Sequence, residues 1–301
     1  MPLLIIGALM LVGSALLLRS GLRKRGEAAD QRALPLQTID ELRELSAAVR
    51  AEMGGDYYEQ LGMFEGRLSA AATLTAPLSG RPCVWYAARV VREYETPQTT
   101  TVTTSGSVTT QPARPAAGGA APRKGAPATA RPGTAFQQTS TTTTSTTKST
   151  QQLWQEQRHA AASLEDGTGQ VGVQLEHATV NGGDSWTQFV PGRPVDGVLR
   201  QGSFTQQVGF DSGGQRTLGF RMTETILAPG AGVCIQGQYA ETGGIASLRP
   251  PRDGRLIVDT GGREAMVRRT ASAARNLKIG AAALATFGLL ALIYGLISII
   301  T

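Results

Sequence analysis

The sequence predicts an α+β fold: a mainly antiparallel β domain with flanking helices between two transmembrane helices. Uninterrupted apolar runs stand at both ends of the chain, and segments of alternating polarity separated by Gly and Pro fill the middle. The predicted segments are a transmembrane helix at 2–18, a basic juxtamembrane arm and amphipathic helix at 19–56, a β-rich domain at 57–260, a juxtamembrane helix at 261–278 and a transmembrane helix at 279–300.

The two terminal runs have the length and polarity of membrane-spanning helices. As helices, the uncharged run at 2–18 spans about 25 Å and the run at 279–300 about 33 Å. A cleaved signal peptide is the alternative for the first run, but its positive charge follows the apolar residues instead of preceding them. We therefore expect a multi-pass integral membrane protein.

Positive charge flanks the inner end of each apolar run, at Arg19, Arg23, Lys24, Arg25 and Arg32 and at Arg263, Arg268, Arg269, Arg275 and Lys278. Because such charges stay on the cytoplasmic side, we expect a cytoplasmic domain, with a periplasmic domain as the alternative. Membrane lipids are an expected partner, since the same charges can contact anionic headgroups, although topology alone explains them.

A capping box formed by Thr38 and Glu41 predicts the start of an amphipathic helix, which Gly54 and Gly55 end. Its expected apolar stripe is Ile39, Leu42, Leu45, Val49 and Met53. From residue 57 the period changes to two, with a turn at Pro77–Gly80. Strands are predicted at 64–68, 72–75, 81–94, 170–176, 185–190, 206–210, 218–227, 232–239 and 256–259, and a last helix at about 262–277.

Residues 96–150 interrupt the alternation. Thr, Pro, Ala and Gly dominate this segment, which has few large apolar side chains to offset the entropy of ordering it. We expect a disordered insert inside the β-rich domain. A glycosylated stalk is the alternative, but it would require exposure outside the cytoplasm.

No motif predicts a catalytic, cofactor-binding or metal residue. Gly167–Gly172 fits GxGxxG, but a strand pattern begins inside it where a dinucleotide site needs a helix. The two histidines have no metal-ligand spacing and the acidic residues no paired arrangement; those weighed were His159, His177, Asp166, Asp211, Glu224 and Asp259. We therefore expect no enzyme, no cofactor and no nucleic-acid partner, because the basic excess lies beside the membrane.

Two Cys and two His are too few for a RING finger, a pair of zinc ribbons or an iron–sulfur ferredoxin. Cys83 and Cys234 are expected to be buried thiols in a cytoplasmic domain, while a disulfide stays open for the inverted topology. In the second run, Ala281 with Ala285 and Gly288 with Gly295 permit close helix packing. The partner helix is either the other span of the same chain or a second copy in a homo-oligomer.

The order of several motifs resembles the GIDE domain: Gly66, Leu74–Gly80, Cys83–Tyr86, Asp166–Val171, Thr223–Leu227 and Gly237 before a terminal span. That domain lies beside two membrane helices in mitochondrial E3 ubiquitin ligases of the GIDE type and in many bacterial membrane proteins. The resemblance covers 57–300 without the insert and implies a domain that recruits substrates or partners. In the ligases this domain faces the space between the two mitochondrial membranes, which conflicts with the charge-based orientation.

The ligases also carry a C-terminal RING, which this sequence is expected to lack. The expected function is therefore a membrane-anchored, non-catalytic GIDE-like interaction module of a bacterial-type membrane protein with an unknown protein partner. Two alternatives stay open. One is a component of an E3 ubiquitin-ligase-like or other enzyme system with the catalytic part supplied in trans, and the other is a lipid-binding or envelope-organising protein.

Overall fold

The computed structural model describes residues 2–54, 57–108, 135–209, 211, 214–252 and 254–300. It confirms the α+β class, with strands in the middle and long helices at both ends. The helices are α1 (Pro2–Ala33), α2 (Ile39–Met53) and α3 (Gly262–Ile300). The strands are β1 (Tyr57–Ala70), β2 (Leu74–Thr75), β3 (Pro82–Cys83), β4 (Trp85–Val108), β5 (Ala135–His159), β6 (Ala162–Glu165), β7 (Gln170–Val173), β8 (Thr179–Asn181), β9 (Asp184–Pro191), β10 (Val198–Gln201), β11 (Phe204–Gln207), β12 (Arg216–Leu227), β13 (Gly232–Thr242), β14 (Ile245–Arg249) and β15 (Ile257–Asp259).

Five strands close into a small barrel. β1 pairs with β6, β6 with β7, β7 with β14 and β14 with β13, and β13 returns to β1. These pairings are antiparallel except β14 with β7, and β15 extends the sheet from β13 to β8. The barrel interior holds a buried cluster that includes Leu164, Val171, Ile235, Tyr239 and Leu248. Closure leaves the five strands without free edges in the ring.

A second, antiparallel sheet has the strand order β5-β4-β12-β9. Tyr86, Phe220 and Met222 from this sheet are buried in its own apolar cluster. The hairpins β2–β3 and β10–β11 cover that cluster with Leu78 and Phe204. In the described part of the chain, one apolar core therefore lies inside the barrel and one under the second sheet, and a smaller cluster of Met63, Cys234 and Met266 lies where α3 meets the barrel.

The prediction of a disordered insert at 96–150 is wrong for the described part of that segment. β4 continues to Val108 and β5 begins at Ala135, and the two strands pair from Trp85 opposite His159 to Val108 opposite Ala135. The prediction rested on the small apolar surface that Thr side chains can bury, and it left out the backbone preference of Thr. Thr is β-branched and favours extended backbone, and hairpin pairing satisfies the backbone without a core. Residues 109–134 lie outside the described residues.

The capping box of α2 is confirmed. Thr38 Oγ1 accepts the Glu41 N–H at 3.3 Å, and Glu41 Oε2 accepts the Thr38 N–H at 3.0 Å. The helix ends at Gly54 in the left-handed region, with φ 67°. The apolar stripe is correct only at its start, where Ile39 and Leu42 are buried.

The second half of the predicted stripe is wrong, because Leu45 and Met53 are exposed. The polar residue Ser46 takes the buried position on the next turn of α2. Its hydroxyl donates to Glu241 Oε2 on β13 at 2.6 Å. A buried hydrogen bond thus replaces apolar packing at this point, a substitution that hydrophobic periodicity does not reveal.

α1 and α3 pack as an antiparallel pair along a seam of small residues spaced by seven. The buried seam positions are Gly7, Ser14, Gly21 and Ala28 on α1 and Ala274, Ala281, Gly288 and Gly295 on α3. Ser14 Oγ donates to the Ala281 carbonyl at 2.8 Å, and a Cβ on Gly7 would lie 3.0 Å from the Gly288 carbonyl. The small residues of the second apolar run thus face the other helix of the same chain, although Ala285 is only half-buried.

Both helices are long and apolar enough to cross a membrane, over residues 5–33 and 262–297. Only 17% of each apolar window is buried, which distinguishes these helices from the core helices of a soluble protein. Their exposed apolar side chains include Ile5, Leu9, Phe287 and Leu290. The pair therefore presents an apolar outer surface along the apolar runs, while the basic residues at 19–32 and 263–278 lie nearer the body.

Gly288→Leu is expected to separate α1 from α3. A Cβ at this position would lie 3.1 Å from the Gly7 carbonyl oxygen, and such overpacking costs about 1–3 kcal/mol. Disulfide trapping of a Ser14→Cys, Ala281→Cys pair measures the loss of contact. The control is Gly13→Leu, because no atom lies within 4 Å of a Cβ there. Equal trapping in the two variants would contradict the seam.

Candidate functional site

Asp166, in the turn between β6 and β7, holds the start of α2. Its Oδ2 accepts the Ile39 N–H at 2.7 Å, and its Oδ1 accepts the N–H groups of Thr168 at 2.9 Å and Gly169 at 3.0 Å. Burial by itself raises the pKa of Asp166, but the hydrogen bonds from Thr168, Ile39 and Gly169 outweigh burial and the pKa is lowered. This turn is therefore a docking loop for a helix, and the strand β7 begins inside the GxGxxG motif as predicted.

Asp166→Asn is expected to loosen α2 from the barrel by about 1–2 kcal/mol, because the amide supplies a weaker acceptor to Ile39. Since the folded pKa is lowered, the contribution of Asp166 to stability is complete above about pH 4 and is lost as the pH falls through the folded pKa. Hydrogen exchange across 39–53 measures both effects. Asp40→Asn, which removes a charge from the exposed first turn of α2, is the control. Equal exchange in the two variants would contradict this role.

Glu224 on β12 holds the Pro77–Gly80 turn. Its side chain is buried, and its two carboxylate oxygens accept the Leu78 N–H at 2.8 Å and the Ser79 N–H at 2.9 Å. The turn closes at Gly80 with φ 71°, in the region that favours glycine. The Leu74–Gly80 and Thr223–Leu227 motifs, which are distant in sequence, therefore form one structural unit.

Asp259 joins β15 to α3. The side chain is fully buried, and its Oδ2 accepts from Arg269 Nη1 at 2.6 Å while Oδ1 accepts the Gly261 N–H at 2.8 Å. Arg269 itself is half-exposed at the surface of the helix. The pair fixes the first turns of α3 to β15, which lies between β13 and β8 in the sheet.

Arg263 connects three elements at the same place. Glu65 Oε1 on β1 accepts the Arg263 N–H at 2.9 Å, which caps the start of α3. The Arg263 guanidinium donates to the carbonyls of Arg32 at 3.0 Å and Leu34 at 2.8 Å, where α1 ends. The barrel, α1 and α3 are therefore tied together where the helix pair meets the body.

The structure does not bring the histidines together with the buried carboxylates. His159 is exposed at the end of β5, and His177 is exposed with φ 55° and lies 3.7 Å from Glu176. Among the described residues, no group of three His, Cys, Asp or Glu side chains could hold a metal ion. Asp211 accepts from Arg92 at 2.6 Å beside the second sheet.

Cys83 and Cys234 are free and buried in different apolar clusters. Burial raises the pKa of Cys83 to about 11 and that of Cys234 to about 12. Because the two thiols lie in different clusters, the disulfide that was left as an alternative is not formed. Burial and these raised pKa values favour the protonated thiols at neutral pH.

Large apolar side chains are exposed where α2 ends and where β1 and β14 begin. We call Met53, Tyr57 and Ile245 the barrel-end patch. Met53 is 80% and Ile245 78% exposed, and Thr242 pairs with both Tyr57 and Ile245. Sequence reasoning missed this surface, because Ile245 follows a Gly-Gly turn outside any alternating segment.

The sequence profile of the GIDE family, described as E3 Ubiquitin ligase, matches residues 134–293. The matched range includes the Asp166 turn, the Glu224 strand and most of α3, and it begins after the Pro77–Gly80 turn and the Cys83–Tyr86 string. No curated protein and no solved structure matches the chain significantly. Because the profile covers more than half of the sequence, the chain belongs to the GIDE family.

Proposed function

We propose that the protein is a membrane-anchored, non-catalytic interaction module whose barrel-end patch binds a partner protein. The observation that carries this proposal is the exposure of Met53 and Ile245 on a firmly held surface. Glu241 on β13 accepts a hydrogen bond from Ser46 at 2.6 Å, which holds α2 against β13, and a second one from Tyr239 of the same strand at 3.0 Å. Exposed apolar side chains grouped on rigid elements are typical of protein interfaces.

The hydrogen bonds of Asp166 and of the buried Glu224 and Asp259 support a structural role for these acidic residues. The carboxylate oxygens of Asp166 and Glu224 accept hydrogen bonds from backbone N–H groups, and a carboxylate oxygen of Asp259 accepts from Arg269. A general base needs a free oxygen directed towards a substrate. These three carboxylates instead fix a helix, a turn and the junction with α3.

We further propose that α1 and α3 cross a bacterial-type membrane and that the body lies on its cytoplasmic side. The outward apolar side chains of the helix pair support the crossing. The arginines at the body end of both helices support the orientation. Because α1 and α3 are antiparallel, both chain ends lie on the opposite side from the body in this arrangement.

A single accessible cysteine tests the orientation, since both native thiols are buried. Val195→Cys places a thiol at a fully exposed position between β9 and β10. A membrane-impermeant maleimide is expected to label this variant only after the cells are permeabilised. Labelling of intact cells would place the body outside the cytoplasm.

Site-specific photo-crosslinking tests the interaction. A photoreactive side chain at Met53 or at Ile245 is expected to give a crosslinked product of defined mass, and the same side chain at the exposed control position Val195 is not. Ile245→Glu should abolish the product formed from Met53. Identical products from all three positions would contradict a specific binding surface.

A component of an E3 ubiquitin-ligase system, with the catalytic part supplied in trans, is the second candidate, which the family description favours. In that case the partner crosslinked at Met53 includes a ubiquitin-transferring protein. Ubiquitin transfer by the isolated complex should then disappear with Ile245→Glu. Turnover by the purified chain alone, lost on replacing Asp166 or His177, would instead make the protein an enzyme.

A further inference from the structure

A groove of about 400 Å³ lies between the basic segments of α1 and α3, on the body side of their apolar runs. Its floor is formed by Ala28 and Ala29 of α1 and by Ala271 and Ala274 of α3. Ala28 and Ala274 belong to the small-residue seam and are buried. We call this feature the stalk groove, and its floor is apolar.

The rim of the stalk groove is positively charged. It is formed by Arg25, Arg32, Arg275 and Lys278, and among the described residues no carboxylate lines the groove. In the described part of the chain, no acidic side chain lies within ion-pair distance of these four. By contrast, the neighbouring Arg23 and Lys24 both pair with Glu27. The four cationic side chains around the groove therefore have no carboxylate partner in the described part of the chain.

The groove also lies at a defined level along the helix pair. Lys278 directly precedes the apolar run at 279–300. Arg275 is three residues further from that run, which is about 5 Å along a helix. The polar headgroup layer on each side of a bilayer has a similar thickness of about 5–8 Å. Arg275 and Lys278 thus lie at the level of phosphate groups if α3 spans the membrane, and Arg25, seven residues after the apolar run of α1, reaches towards that level from about 10 Å.

We propose that the stalk groove binds the phosphate headgroup of an anionic phospholipid. The arginine and lysine side chains bind the phosphate oxygens, and the glycerol and upper acyl segments lie along the alanine floor. A free phosphate ion would gain the charge interaction but not the apolar contact. The inference rests on the proposed membrane placement of α1 and α3 and is independent of the barrel-end patch.

Native mass spectrometry of the full chain in detergent tests this site with equal amounts of phosphatidylglycerol and phosphatidylcholine. The chain is expected to retain phosphatidylglycerol about tenfold more than phosphatidylcholine. R25Q/R275Q should lose this preference, and K278Q alone should lower it. The control R23Q/K24Q removes the same charge from the neighbouring face and should keep the preference.

Retention by R25Q/R275Q equal to that of the parent chain would overturn the site, as would an equal loss in R23Q/K24Q. Inorganic phosphate in large excess is expected not to displace phosphatidylglycerol, and displacement would assign the groove to a soluble anion instead. If the parent chain shows no preference for phosphatidylglycerol but still needs detergent to stay in solution, the result contradicts the groove and leaves the membrane placement standing. A chain that is soluble without detergent contradicts the membrane placement itself.

Discussion

Arg269→Gln is expected to lower the free energy of unfolding of the β-rich body by about 3 kcal/mol. Arg269 Nη1 lies 2.6 Å from Asp259 Oδ2, and the Asp259 side chain has no exposed surface. Without the guanidinium, the carboxylate keeps the Gly261 N–H but stays buried without a counter-charge. The loss is large because the carboxylate is buried, whereas an exposed ion pair contributes about 0–1 kcal/mol.

Urea unfolding in detergent micelles, followed by the fluorescence of the tryptophans in the body, measures this effect. Arg268→Gln is the matched control, because Arg268 is the exposed neighbour on the same helix, and it should change stability by about 0.5 kcal/mol or less. Adding Asp259→Asn to Arg269→Gln should recover part of the loss by removing the buried charge. Equal stability of the Arg268 and Arg269 variants would contradict the role of this pair.

Glu224→Ala is expected to destabilise the second sheet and its covering hairpins by about 3 kcal/mol, the second large effect. The change leaves the N–H groups of Leu78 and Ser79 without their acceptors and opens a cavity beside the apolar cluster. Glu224→Gln should cost less, since one amide oxygen can still accept. The same unfolding measurement applies.

Thr223→Ala is the control for Glu224, because Thr223 is adjacent on β12 and its side chain points to the opposite face. It should change stability by about 0.5 kcal/mol or less. Limited proteolysis near Pro77–Gly80 gives a local readout, with faster cleavage expected in Glu224→Ala than in Thr223→Ala. Unchanged cleavage in both variants would show that the carboxylate does not hold the turn.

Elements set by neighbouring residues could be predicted from the sequence. The capping box at Thr38 and Glu41 and the alternating strand at 218–227 need only local contacts, and the structure has both. The closure of the barrel could not be predicted in this way. It depends on β14, which pairs parallel with β7 across a long sequence separation and shows no clear alternation.

The roles of the acidic residues could not be predicted, because their partners are far away in sequence. Asp166 and Ile39 are 127 positions apart, and Glu224 and Leu78 are 146 apart. No spacing rule connects residues at such distances. The small-residue seam was accessible, however, since Gly7, Ser14, Gly21 and Ala28 recur at every seventh position, and a search for that period on α1 would have found it.

The contacts where α3 meets the barrel fix the position of the body relative to the helix pair. Arg263 and Arg269 of α3 connect the helix pair to β1 and β15 through hydrogen bonds and an ion pair. The barrel-end patch therefore stands at a fixed place relative to the helices. In the proposed membrane placement of α1 and α3, a partner bound at the proposed patch would be held at a set position with respect to the membrane.

Carbonate extraction of membranes that carry the full chain tests the central claim, that α1 and α3 anchor the body in a lipid bilayer. The apolar outer surface of the helix pair predicts that the chain stays in the membrane pellet at alkaline pH and enters solution only with detergent. Release of the intact chain into the carbonate supernatant would contradict the anchor.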